Sequence, residues 1–138
     1  MKLSTRGKYG LYAMYYLSLH QGEGPQPLQD VAAFGIPKQY LEQILGNLRR
    51  AGLVSTVRGA QGGYQLAAPP GEVSLRAIMD AVEDPVELSE CAGEQSVCSK
   101  AADCPVRSIW QKATDCINTE LEKIKLSDLL TKSEEVQP

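Results

Sequence analysis

Apolar residues recur at helical spacing in the first third of the chain. A helix over residues 5–20 is predicted, because Ser4 can cap its first turn. A shorter helix covers 28–34 and ends at Gly35. A third helix begins at Pro37, a residue that suits a first helical turn, and is closed by Gly52. Its apolar stripe follows the i, i+3, i+4, i+7 rule and consists of Leu41, Ile44, Leu45 and Leu48.

Two short segments after the third helix have the composition of β-strands. The runs "LVSTV" and "YQLA" are rich in strand-forming residues, and the glycine-rich "RGAQGG" joins them. Three helices followed by a hairpin is the element order of a winged helix-turn-helix. The sequence therefore predicts a mainly α fold in which the third helix enters the major groove and the hairpin forms the wing.

The second half of the chain predicts two more helices. Ser74 caps one that is stopped by Pro85, and Pro105 begins a long one. A long helix in so small a chain has little core of its own to cover, so we predict that its apolar face forms a two-fold dimer seam; packing across its own domain is the alternative. The expected seam consists of Val106, Ile109, Trp110, Ala113, Cys116, Ile117, Leu121 and Ile124.

Three regions follow from this pattern. Residues 1–70 form the predicted DNA-binding domain, and residues 71–130 contain the connecting helix, a cysteine loop and the long C-terminal dimerisation helix. Residues 131–138 are expected to be a solvated tail.

The distribution of charge adds a function class. The 138 residues carry a net charge of −3, which conceals a basic half and an acidic half. Through Tyr64 there are seven basic and three acidic residues, and from Gln65 onward there are seven basic and fourteen acidic residues. This asymmetry favours a nucleic-acid face kept apart from a second function, with chance surface charge as the alternative. No run approaches the roughly 20 apolar residues of a membrane span, and we expect a cytosolic protein.

Polar residues of the third helix and the hairpin tip have the chemistry of base and phosphate recognition. Glutamine pairs with adenine edges, arginine and lysine bind guanine or phosphate, and Glu42 can accept from cytosine. Arg58 precedes the flexible tip and suits a narrow minor groove. An ordinary solvated helix face is the alternative. The candidate DNA-binding residues are Lys38, Gln39, Tyr40, Glu42, Gln43, Arg49, Arg50, Arg58 and Gly59.

Three of the four cysteines lie in the stretch "CAGEQSVCSKAADCPVR". Cys91, Cys98 and Cys104 are separated by six and five residues, which lacks the paired knuckles of structural zinc sites. Thiolates anchor iron–sulfur centres, whereas the cytosol disfavours a disulfide, so we predict a cluster, with a thiol switch as the alternative. Cys116 lies on the apolar stripe and is expected to be a buried, inert thiol.

Other reactive residues receive structural interpretations. Tyr9, Tyr12, Tyr15 and Tyr16 are expected in the core or an interface. His20, the only histidine, is expected at a helix C-terminus or the surface. No Ser-His or Cys-His constellation is evident, so we do not expect an enzyme.

The segments "MKLSTRGKYGLYAM" and "YLEQILGNLRRAGLVSTVRGAQGGYQL", together with the three-cysteine loop, carry a family signature. They resemble the Rrf2 family of bacterial winged-helix regulators over almost the whole chain to about Leu130, most of all its iron–sulfur cluster assembly regulators. The resemblance implies a homodimeric transcription factor whose operator binding is modulated by a cluster, usually of the 2Fe–2S type. By position, Cys91, Cys98 and Cys104 match the cluster cysteines. Glu42 matches a residue that discriminates operator classes, and Arg58 matches a wing arginine.

The chain departs from that pattern in three places. The first cysteine gap is one residue longer, and the turn before the third helix is one residue shorter. Arg107 occupies the place of a ligating histidine, and a guanidinium offers no lone pair to iron. Relatives that take a ligand from the first helix have Lys8 or Tyr12 at the matching positions here. The fourth ligand stays open among Asp103, Glu90, a partner residue and solvent.

Three functions are therefore predicted in order. The first is a dimeric bacterial repressor or dual regulator that senses cluster supply or oxidants and binds a palindromic operator through residues 37–50 and 58–63. The second is a cluster-free regulator of cysteine metabolism that acts through thiol oxidation or an enzyme partner. The third is an iron–sulfur carrier or electron-transfer module, which would leave the helix–hairpin half without a role.

Overall fold

Five α-helices and one β-hairpin make up the fold in the computed structural model, which describes residues 4–83 and 104–130. A 3-10 turn at Pro70–Glu72 and a helical turn at 126–130 complete these ranges. No helix within them has the length and apolar content needed to cross a membrane. The elements are α1 (Thr5–Leu19), α2 (Leu28–Ala32), α3 (Lys38–Arg50), β1 (Val54–Val57), β2 (Gly63–Leu66), α4 (Leu75–Val82) and α5 (Pro105–Lys123).

Local capping sets the helix boundaries. Ser4 Oγ accepts from the backbone N–H of Gly7 at 3.4 Å, and Ser74 Oγ accepts from that of Ala77 at 3.0 Å, so both predicted caps are confirmed. The expected place of Pro37 is wrong by one position, because it is the N-cap of α3 and its carbonyl accepts from the N–H of Leu41 at 3.1 Å. Helix α4 ends at Val82, and the proline predicted to stop it lies outside the described residues.

The core surrounds α3, whose apolar stripe is fully buried as predicted. Helix α1 contributes Met14 and Leu17, and α4 contributes Ile78 and Val82 to the same cluster. Leu126, beyond α5, is also fully buried there. The helices of the DNA-binding region and α4 thus share one continuous core, which fixes α3 against the rest of the molecule.

The hairpin is attached to the helices at two points. Its strands pair antiparallel from Val54 with Leu66 to Val57 with Gly63. Gln26, in the connection between α1 and α2, exchanges both backbone hydrogen bonds with Tyr64, at 2.8 and 2.9 Å. The hairpin therefore cannot move independently of α1 and α2.

Helix α5 leaves much of its predicted apolar seam uncovered in the single chain. Val106 is 52%, Ile109 64% and Trp110 41% exposed, whereas Thr114 is the one buried residue of the helix. The C-terminal end of α5 is anchored, because the N–H of Leu75 donates to the Ile124 carbonyl at 2.8 Å. The rest of the expected seam comprises half-buried Ala113, Ile117 and Leu121 and exposed Cys116 and Ile124.

Two side-chain expectations are corrected. Cys116 is exposed, so its prediction as a buried thiol is wrong for the single chain, because α5 turns a neighbouring face toward α4. None of the four α1 tyrosines is fully buried, and Tyr12 is 39% exposed. They border the core instead, and three of them cluster around Phe34. His20 follows α1 as its C-cap, as expected, and pairs with Glu23 at 2.5 Å.

Candidate nucleic-acid interface and cysteine site

The outer face of α3 is the most complete part of the candidate interface. Four buried leucine and isoleucine side chains hold one side of the helix in the core, which forces the polar side into solvent. All seven predicted residues of this helix are exposed there. They are Lys38, Gln39, Tyr40, Glu42, Gln43, Arg49 and Arg50.

Most cations of this face have no partner within the molecule. Among the described residues, Lys38, Arg49 and Arg58 form neither a hydrogen bond nor an ion pair, and Arg50 donates only to the neutral Asn47 side chain. Arg76, on α4, is instead within 4 Å of two carboxylates, those of Asp80 and Glu122. Unpaired exposed cations are the groups that release counterions when they bind phosphate.

The wing is held in a fixed position relative to α3. The N–H of Leu53 donates to the Leu48 carbonyl at 3.0 Å, so β1 follows the helix directly. At the tip, the N–H of Gly62 donates to the carbonyl of Gly59 at 3.0 Å, and a Cβ on Gly62 would overlap the Val57 carbonyl. Arg58 and Gly59 are exposed beside this tight turn, as a groove-inserting wing requires.

The first turn of α1 borders the same surface, which the sequence did not indicate. Tyr40 stacks on Tyr9 with ring centroids 6.3 Å apart and an interplanar angle of 23°. A shallow depression runs between the two helices and is lined by Ser4, Thr5, Arg6, Tyr9, Tyr40 and Gln43. Only a basic charge at Arg6 signalled this region in the sequence.

Cys104 is the one member of the predicted cysteine trio within the described ranges. It is the half-buried N-cap residue of α5, and Cys91 and Cys98 lie outside the described residues. In residues 4–83 and 104–130, no group of three or more ligating side chains forms a metal site. A partly exposed thiol at this position has the donor chemistry of a cluster ligand, whereas Arg107, one turn later, has none.

Comparison with known proteins decides the class of protein. Residues 3–132 match the model of a family described as "Rrf2: Iron-dependent Transcriptional regulator". The chain belongs to the Rrf2 family. This membership confirms the resemblance noted in the sequence, and the protein is therefore a member of a family of transcriptional regulators.

Individual relatives agree with this assignment. The chain is 37% identical over 135 residues to the HTH-type transcriptional regulator IscR of Aliivibrio salmonicida, covering 97% of this chain and 80% of that protein. The solved structure of T. potens IscR is 37% identical with a TM-score of 0.81, covering 100% of this chain and 92% of the other. CymR, the global cysteine regulator of B. subtilis, is 33% identical with a TM-score of 0.76, covering 96% and 98%. The winged helix-turn-helix fold with a long C-terminal helix is confirmed.

Proposed function

We propose that this Rrf2 regulator acts in the bacterial cytoplasm as a homodimer that binds a palindromic operator, and that an iron–sulfur cluster on Cys91, Cys98 and Cys104 modulates its binding. The observation that carries the DNA-binding part is the row of exposed cations without partners on α3 and the wing. Such a surface is suited to a phosphate backbone.

Each side chain of the interface has a specific proposed role. Gln39 and Gln43 read adenine edges in the major groove, and Glu42 accepts from cytosine and repels wrong sequences. Lys38, Arg49 and Arg50 bind guanine or phosphate. Arg58 enters the adjacent minor groove beside Gly59, and Tyr40 positions the start of α3 through its stack on Tyr9.

Electrophoretic shifts with promoter DNA, with and without cluster, test operator binding. Arg58→Ala is expected to weaken specific binding by about tenfold or more, because groove contacts of arginine contribute about 1–3 kcal/mol. Arg76→Ala is the matched control, since its guanidinium is engaged with carboxylates on α4. The absence of a specific shift in both cluster states would refute the proposal.

Dimerisation is supported by the uncovered apolar side chains of α5. Ile109 and Gln111 are both exposed but point in directions about 160° apart on a helix of 3.6 residues per turn. Ile109→Glu places a charge in the proposed seam and is expected to give monomers in light scattering after size exclusion. Gln111→Glu adds the same charge outside the seam and should remain dimeric. A dimeric Ile109→Glu variant would contradict this interface.

The cluster part of the proposal is supported by the thiol chemistry of Cys104 at the start of α5. A 2Fe–2S cluster supplies a group whose presence depends on iron–sulfur supply and oxidants. We expect anaerobically purified protein to absorb visible light and contain iron and sulfide. Cys104→Ser should remove both signals, whereas Cys116→Ser should retain them.

The likeness to CymR supports a second candidate, a cluster-free regulator of cysteine metabolism. A solved oxidised form of Staphylococcus aureus CymR is 34% identical with a TM-score of 0.73, covering 94% of this chain and 95% of the other. In this candidate, the thiols respond directly to oxidation or the protein acts with an enzyme partner. Colourless, iron-free protein from anaerobic purification would favour it over the cluster.

A further inference from the structure

The depression between α1 and α3 places a further cation beside the candidate DNA interface. Two of its lining residues, Tyr40 and Gln43, belong to the exposed face of α3. Thr5 and Arg6 come from the first turn of α1, and both are exposed. The surface that would face DNA is therefore continuous across the two helices.

Arg6 has the electrostatic properties of the α3 cations. Its guanidinium forms no hydrogen bond or ion pair with any residue in the described part of the chain. The nearest element that carries an acid is the end of α4, where Glu83 is already engaged with Ser4. Arg6 is thus an exposed, uncompensated charge next to the start of α3.

The position of this first turn is fixed by contacts on two sides. The Glu83 carboxylate accepts from the backbone N–H of Ser4 at 3.0 Å and from its hydroxyl. One turn later, Tyr9 stacks on Tyr40 of α3. A side chain on such a constrained turn loses little conformational freedom of its backbone when it binds a ligand.

We propose that Arg6 binds a backbone phosphate of the operator, so that the first turn of α1 is a third DNA-contacting element beside α3 and the wing. This proposal rests on the proposed operator binding. Arg6 sets the register and strength of binding but reads no base, because phosphate contacts carry no sequence information.

Removal of a phosphate contact has a signature that a structural role lacks. The logarithm of the binding constant falls with the logarithm of salt concentration by about 0.9 for each neutralised phosphate. If each protomer of a dimer contributes one Arg6, Arg6→Ala is expected to reduce the slope by about 1.8. Affinity for operator and for scrambled duplex should fall by the same factor.

The experiment measures fluorescence anisotropy titrations of wild type, Arg6→Ala, Arg6→Lys and Lys8→Ala over a salt series, on operator and scrambled DNA. Lys8 is the matched control, because its ammonium lies over the Tyr12 ring, 5.8 Å from the centroid, on another side of α1. Arg6→Lys should keep the slope, and Lys8→Ala should equal the wild type. Thermal unfolding followed by circular dichroism verifies that each variant is folded.

Two results would overturn the proposal. One is a wild-type slope in Arg6→Ala, and the other is an equal loss of slope in Lys8→Ala, which would indicate a general charge effect. Failure of operator binding is distinguishable from both, because the wild type would then show equal affinity for operator and scrambled DNA. The slope on scrambled DNA would still report on Arg6.

Discussion

Replacement of Gly63 by alanine tests how the wing is attached to the helices. A Cβ at this position would overlap the carbonyl carbon and oxygen of Gln26 and lie 2.9 Å from the nitrogen of Pro27. These are backbone atoms, so the overlap cannot be relieved by a side-chain rotation. We expect the strand to separate from residue 26, with loss of the two hydrogen bonds between Gln26 and Tyr64.

The cost of Gly63→Ala has two parts. Each lost backbone hydrogen bond has a net contribution of about 0.5–1.5 kcal/mol, and overpacking adds about 1–3 kcal/mol. The free energy of unfolding should therefore fall by roughly 2–6 kcal/mol. Gly24→Ala is the matched control: Gly24 has a φ of +87° but nothing within 4 Å of an added Cβ. It should cost only about 1–2 kcal/mol of backbone strain.

Urea unfolding of the two variants measures this difference, and anisotropy with operator DNA measures its functional consequence. Gly63→Ala should weaken operator binding, because the wing carries Arg58 and its orientation depends on the contact with residue 26. Gly24→Ala should bind like the wild type. Equal destabilisation by the two substitutions would refute the attachment of the wing through Gln26.

Two further predictions concern α1. Gly10→Ala brings a Cβ within 2.9 Å of Val82 Cγ2 and should cost about 1–3 kcal/mol in thermal unfolding; Val82→Ala in the same chain should recover part of this loss, and strictly additive effects would contradict the packing. The hydroxyl of Tyr16 donates to Gln26 Oε1 at 3.3 Å, and burial, with smaller contributions from Asp30 and Glu23, raises the pKa of Tyr16 above its usual value. The neutral phenol is therefore favoured in the folded state, so the stability of the wild type should fall relative to Tyr16→Phe as pH rises past about 10; parallel pH profiles would contradict this.

The third helix was predictable because its sequence satisfies one period throughout. Its four apolar residues repeat at helical spacing, and all four are fully buried. The caps at Ser4 and Ser74 were predictable for a related reason, since both depend on residues only three positions apart. Local rules were sufficient wherever the stabilising contact was local.

The packing of α1 was not predictable in the same way. The sequence suggested its tyrosines as core residues, yet its buried face includes Gly7, Gly10 and Ala13 with Met14 and Leu17. Small residues let α1 approach α4 closely, as the contact between Gly10 and Val82 shows. Bulky aromatic residues do not fit such an approach, so they border the core and contact Phe34.

The candidate site divides along the same line. The exposed residues of α3 follow from periodicity, whereas Arg6 joins them only through tertiary packing across more than thirty residues of sequence. The cysteine trio was predicted from composition and spacing alone, and its arrangement stays a prediction for Cys91 and Cys98, which lie outside the described residues.

Helix α5 connects the proposed dimer seam to the proposed cluster site. Its C-terminal end is tied to the core, but Val106, Ile109 and Trp110 lie uncovered in its first two turns. Ile109 is five residues from Cys104, or about 7.5 Å along the helix axis. Dimerisation through these side chains would therefore place a partner subunit close to the thiol of Cys104, where it would restrict solvent access. Ile109→Glu should consequently shorten the lifetime of the cluster in air as well as disrupt the dimer, and an unchanged lifetime in a monomeric variant would show that the two sites are independent.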